Sequence, residues 1–97
     1  MKLLTAELRK QLPALGTTAN QADPTIVCKF FTPDSSWTWY AIEFDGDDTF
    51  YGLVDGFEQE FGSFSLAELE NLRGPMGLPV ERDLYFKPAP ASKFLVK

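Results

Sequence analysis

The chain has 97 residues, a formal net charge of −5, 44% hydrophobic and 14% aromatic side chains, which describes one folded domain with a modest core rather than a disordered tail. Cys28 is the only cysteine, so an internal disulfide is excluded. The apolar runs fall far short of a membrane span, and with no signal-peptide pattern a reducing cytoplasm is the expected compartment. Charge is unevenly spread: residues 1–29 hold four bases and two acids, residues 30–72 ten acids and no base, and residues 73–97 five bases and two acids. Direct attraction of nucleic acid to the middle of the chain is disfavoured; a basic protein surface suits it better.

In chain order, Thr5 is placed to cap a short helix over residues 6–12, with Glu7 in its first turn and Leu4, Leu8 and Leu12 at helical spacing before Pro13 closes it. Residues 16–24 form a polar connector. Thr25 to Thr32 is β-branched and aromatic and reads as the first strand, with Cys28 inside it as a buried, inert thiol. Pro33 to Ser36 then turns the chain.

The stretch from Trp37 to Phe64 holds both tryptophans, two of the three tyrosines and five of the nine phenylalanines, and reads as a three-stranded meander. Asp55-Gly56 is expected to be a two-residue hairpin turn with positive φ at both positions, pairing Val54 with Phe57, Gly52 with Gln59 and Phe50 with Phe61. Upstream, Gly46-Asp47 as central turn residues would pair Phe44 with Thr49, Ile42 with Tyr51 and Tyr40 with Leu53. Alternation then sets two faces. One carries Trp37, Trp39, Ala41, Phe50, Gly52, Val54, Phe57 and Phe61; the other carries Tyr40, Ile42, Phe44, Tyr51, Leu53, Glu58 and Glu60. Neither is plainly polar, whereas an antiparallel sheet usually wets one face, so both need covering by this chain or by another molecule.

Beyond the meander, Ser65-Leu66-Ala67-Glu68 reads as a capping box for a helix to about Arg73 that buries Leu66 and Leu69 and ends at Gly74-Pro75. Residues 74–80 form a stiff loop. Leu84-Tyr85-Phe86 is a candidate fifth, edge strand ended by Pro88 and Pro90, and the tail 91–97 either frays or docks through Phe94 and Leu95. The fold class is therefore α+β: an antiparallel four- to five-stranded meander sheet with two short helices.

Chemistry-bearing motifs are sparse. The chain has no histidine, which removes Ser-His-Asp and Cys-His nucleophiles and the commonest zinc ligand, and it carries no phosphate-binding or dinucleotide glycine motif. Asp45, Asp47 and Asp48 crowd one turn, yet the spacing lacks the glycine and glutamate of a calcium-binding loop, so a solvated hairpin turn is the better reading and no metal is expected. Glu58 and Glu60 project from one strand face about 6.6–6.8 Å apart, as on any sheet with an acidic edge, so catalysis by this pair is not expected. Trp37 and Trp39 share a face but lack the positive groove that base-stacking platforms need. No cofactor and no catalytic residue is expected.

Three segments, KFFTPDSSWTWY (29–40), EFDGDDTFYGLVDGFEQEFGSFSLAELE (43–70) and RGPMGLPVERDLYF (73–86), together with MKLLTAELRKQLP at the amino end, resemble a family of small bacterial proteins classed as a domain of unknown function. Members of that family are typically encoded on plasmids and integrative elements, near anti-restriction and DNA-maintenance genes, so the resemblance implies a mobile-element accessory protein. The expected function is a non-enzymatic binding module that inhibits a host defence protein, a restriction or CRISPR component, by occupying its basic nucleic-acid-binding surface. Candidate binding residues are Asp45, Asp47, Asp48, Tyr51, Asp55, Glu58 and Glu60. The alternatives are a homodimeric assembly module in plasmid maintenance and, third, a carboxylate-dependent enzyme.

Overall fold

The computed structural model describes residues 2–96, so Met1 and Lys97, the outer ends of the first and last sequence segments read above, lie outside the described residues. Helix α1 (Ala6–Gln11) starts at Thr5, whose side chain accepts from the Leu8 amide, as its capping chemistry predicts. The expected first strand is split into β1 (Thr25–Ile26) and β2 (Cys28–Phe31), between which Val27 donates to the Ala41 carbonyl. Strands β3 (Thr38–Phe44), β4 (Thr49–Asp55) and β5 (Gln59–Ser65) form the meander, and α2 (Leu66–Asn71) follows directly, capped by Ser65. Strand β6 (Glu81–Arg82), strand β7 (Ala89–Pro90) and a 3₁₀ turn (Ala91–Phe94) complete the chain. Among the described residues the main sheet is antiparallel in the order β5-β4-β3-β2-β6, and β1 pairs with β7 in a second, two-stranded sheet. The fold is α+β, as expected.

Both hairpin registers differ from the sequence expectation, for separable reasons. Asp45 pairs its amide with the Thr49 carbonyl, so the first turn holds three residues, with Gly46 alone at positive φ (+89°). A bulge at Ile42 absorbs the extra residue: Tyr40 pairs with Leu53 as predicted, but Glu43 pairs with Tyr51 and Phe44 with Phe50. Phe44 therefore joins the face of Trp39 and Phe50, and Glu43 moves to the other. In the second hairpin, Asp55 pairs with Gln59 around a three-residue Gly56–Glu58 turn, and neither Asp55 nor Gly56 has positive φ. The three-residue shift is odd, so it flips β5. Phe61 lies across from Leu53 instead of Phe50, Phe64 takes its place beside Phe50, and Glu60 faces the Val54 side.

Both faces are covered, and by this chain. On the first, Leu3, Leu4, Leu12, Leu66, Leu69 and Val80 close over Phe30, Trp39, Phe44 and Phe50. Phe50 is fully buried against the rings of Phe30 (5.5 Å), Phe44 (4.5 Å) and Phe64 (5.0 Å). On the second, Ile26 and Ala91 are buried with Tyr40, Ile42 and Leu53, and Phe86 and Phe94 pack on them. The Phe94 ring stacks on Tyr40 at 4.7 Å. The expected fifth strand at 84–86 is instead Glu81–Arg82; Leu84 and Tyr85 sit exposed in a turn. The tail docks rather than frays. Ser92 donates to Asp23 through its amide and hydroxyl, and Gln59 bonds the Phe94 carbonyl and the Val96 amide. Of the two covers the sequence left open, this chain or another molecule, the chain itself supplies the one on each face: residues 86–94 cover the side that the two helices do not.

Candidate functional site

The acids of the middle segment do not form one surface. Consecutive hairpin turns lie at opposite ends of β4, whose seven residues span about 20 Å. Asp45, Asp47 and Asp48 sit at one end; Asp55, Glu58 and Glu60 sit at the other.

The first group serves the fold. Asp45 Oδ1 accepts from the amides of Asp47 (2.8 Å), Asp48 (2.9 Å) and Thr49 (3.0 Å). Asp48 accepts from the Ser65 hydroxyl at 2.6 Å and the Ala67 amide at 2.8 Å, and its carbonyl accepts from Leu66, so it caps α2 from outside the helix. The Asp47 amide in the first case and the Ser65 hydroxyl in the second do most to hold these carboxyls below the ordinary range. Arg9 donates to the Gly46 carbonyl at 3.1 Å and lies over the Phe44 ring at 5.3 Å, bringing a cation to this turn. Only Asp47 is left exposed without such a duty.

The second group is different. Glu58 lies in the turn and Glu60 on β5, both exposed, and Asp55 is half-buried at the end of β4. None of the three has an ion-pair partner among the described residues. Burial first, and then the Asp55 charge, push the Tyr40 phenol above its ordinary pKa. Between these acids stands an aromatic corner. Trp37 stacks on Trp39 at 5.8 Å and meets Phe57 in a T-shaped contact at 5.4 Å, yet Phe57 is 95% exposed. Gly56 makes this approach feasible, because a Cβ there would stand 2.3 Å from the Trp37 ring. A groove of about 470 Å³ runs beside the corner, lined by Trp37, Val54, Phe57, Glu58, Glu60 and Gly62.

On the other face, Tyr51 is half-buried and stacks with Phe61 at 6.4 Å. These rings flank a second groove of about 550 Å³ whose wall also includes Leu15, Thr18, Glu43 and Ser63. Glu43 was not singled out from the sequence. It is 3% exposed and accepts from the Gly16 amide (2.8 Å), the Thr18 amide (2.7 Å) and the Thr18 hydroxyl. Burial would raise its pKa, but these donors outweigh burial and hold the carboxyl below the glutamate range. Plain alternation puts Glu43 beside Ala41 on the first face; only the bulge brings it here, and a bulge has no signature in this sequence.

The remaining titratable groups offer little chemistry. Cys28 is buried, and burial pushes its thiol up to about 12, with Arg82 partly opposing, as an inert thiol requires. Glu58 and Glu60 do not share a strand face as expected, since one is in the turn. No three His, Cys, Asp or Glu side chains among the described residues are arranged to hold a metal ion.

No helix among the described residues is long and apolar enough to cross a membrane. No curated protein and no solved structure matches the chain. One family does, over residues 3–96: the chain belongs to the family described as protein of unknown function DUF2958.

Proposed function

We propose that this protein is a non-enzymatic binding module that docks on a basic protein through the β4–β5 end of its sheet. Asp55, Glu58 and Glu60 supply the charge, and Trp37 and Phe57 supply the apolar anchor. The observation that carries this reading is Phe57 itself: an almost fully exposed ring in T-shaped contact with Trp37, close in the chain to carboxylates that have no ion-pair partner among the described residues. Aromatic anchors of this kind dominate interface energies once covered, while the surrounding charge steers encounter and selects the partner. The mobile-element setting implied by the family resemblance narrows the partner to a host defence protein, a restriction or CRISPR component, whose nucleic-acid groove the acids would occupy.

Affinity capture from a bacterial lysate, with elution by rising salt, tests the reading. Screening shortens from about 10 Å at 0.1 M to about 3 Å at 1 M salt, so captured partner should elute across that range and be displaced by added nucleic acid. Asp55→Asn, Glu58→Gln and Glu60→Gln together should abolish capture. Elution indifferent to salt, or capture unchanged in the triple variant, contradicts the proposal.

A further inference from the structure

Strand β5 is one edge of the main sheet. Its inner bonding parity is fixed at both ends, by the Leu66 amide on the Asp48 carbonyl and the Gly56 amide on the Glu58 carbonyl. With this register, Glu60, Gly62 and Phe64 exchange main-chain bonds with β4, and the N–H and C=O groups of Phe61 and Ser63 point away from the sheet. No described residue bonds those outward groups. Of the devices that normally blunt an edge, Gln59–Ser65 carries only the charge of Glu60; it contains no lysine, no proline and no bulge.

The two grooves described above lie on opposite faces of this same edge, and Phe61 and Ser63 line both. A strand laid along β5 would send alternate side chains into the acidic aromatic groove of Trp37, Glu58 and Glu60 and into the apolar groove of Leu15, Tyr51 and Phe61. Gly62 keeps the first of these open, since nothing lies within 4 Å of a Cβ built there.

We propose that β5 is a docking strand: an extended segment of the partner, with basic and apolar residues alternating, adds to the sheet through the main chain of Phe61 and Ser63. This rests on the preceding reading of a basic partner and specifies how it is held. Main-chain pairing supplies affinity, and the flanking grooves supply specificity. A second copy of this chain is the poorer occupant, because it brings another net −5 and its own Glu58 and Glu60 to an edge with no base between residues 30 and 72.

The probe is a capped seven-residue peptide of alternating arginine and valine, compared with a block-ordered peptide of the same composition. Two further versions carry N-methyl groups on every second amide, one in each phase. The alternating peptide should bind at low salt and slow amide exchange at Phe61 and Ser63. Methylation in one phase should weaken it about tenfold, the loss of one or two hydrogen bonds, and in the other phase leave it nearly unchanged. Ser63→Pro, which removes an outward N–H without removing a sheet bond, should weaken it similarly; the methylated peptides decide the matter if that variant fails to fold. Equal binding by all four peptides, with Phe61 and Ser63 unprotected, overturns strand addition and leaves acidic docking standing. Failure of every peptide to bind overturns both. Protection of Phe61 and Ser63 in a peptide-free dimer overturns the basic occupant in favour of a second copy.

Discussion

Glu43 joins the sheet to the 14–20 turns through three donors on one buried carboxylate. Glu43→Gln leaves an amide N–H₂ facing one of those donors and should cost about 1–3 kcal/mol in chemical denaturation at neutral pH. Its pH dependence has a definite sign. The folded pKa lies below the ordinary glutamate value of 4.5, so this stability is fully present above that value and is lost as pH falls through the lower, folded one. Asp45 and Asp48 are lowered by their own amide and hydroxyl donors and add to the same acid-side loss. The wild type should therefore weaken more steeply than Glu43→Gln below the glutamate range; parallel acid titrations of the two proteins would contradict the assignment. Cys28 gives a second check at this scale. A thiol this buried should react with a disulfide reagent only at the rate of unfolding, and rapid labelling of the native protein would show the core open there.

The elements with strong local chemistry were legible in the sequence. Thr5 and Ser65 cap the helices they were expected to cap, because each supplies a side-chain oxygen just before an apolar periodic run. Trp39, Ala41, Phe50, Gly52 and Val54 share the predicted face. Turn length was not legible. Asp-Gly signals a tight hairpin, but in both turns the chain uses three residues, and Asp45 satisfies three amides that a two-residue loop would not present to it. The resulting shifts moved Phe44, Glu43, Phe61 and Glu60 across the sheet, and with them the outline of the candidate site. The pairing of the Ala89–Pro90 strand with β1 was hidden for another local reason. Proline reads as a strand terminator, yet it is tolerated where a two-residue edge needs few main-chain donors. Gly62 offers a test at the element scale. Its position has room for a side chain, so Gly62→Val should raise stability by about 0.5–1 kcal/mol through reduced unfolded-state freedom and better strand propensity. The same change fills the first groove and should weaken partner capture. A lower melting temperature would mean that the space is not there.

For the whole molecule, the acidic middle segment is divided by the fold into a structural end and a free end. Covering both sheet faces with the leucines of the amino end and the aromatics of the tail leaves the exposed apolar surface at corners, edges and the tail: Leu15 before β1, Phe57 and Phe61 near β5, Met76 and Leu78 on the 74–78 loop, Leu84 and Tyr85 in the turn after β6, and Leu95 and Val96. The loop is pinned by Asp34, which accepts from the Met76 and Leu78 amides, and Lys29 pairs with Asp83 near the last patch at 3.8 Å. That neighbourhood is of mixed charge, whereas Glu58 and Glu60 line the groove at Phe57 and the nearest cation in the adjoining grooves is Arg73, beside Trp37 and Trp39; this excess of acid is why the β4–β5 end is the one proposed for a basic partner. The most direct measurement is an amide-exchange footprint of the protein bound to its captured partner. Protection confined to residues 55–63 and Trp37 is the predicted result; protection over Met76–Tyr85 or over the Asp45–Asp48 turn, with 55–63 unchanged, would contradict it.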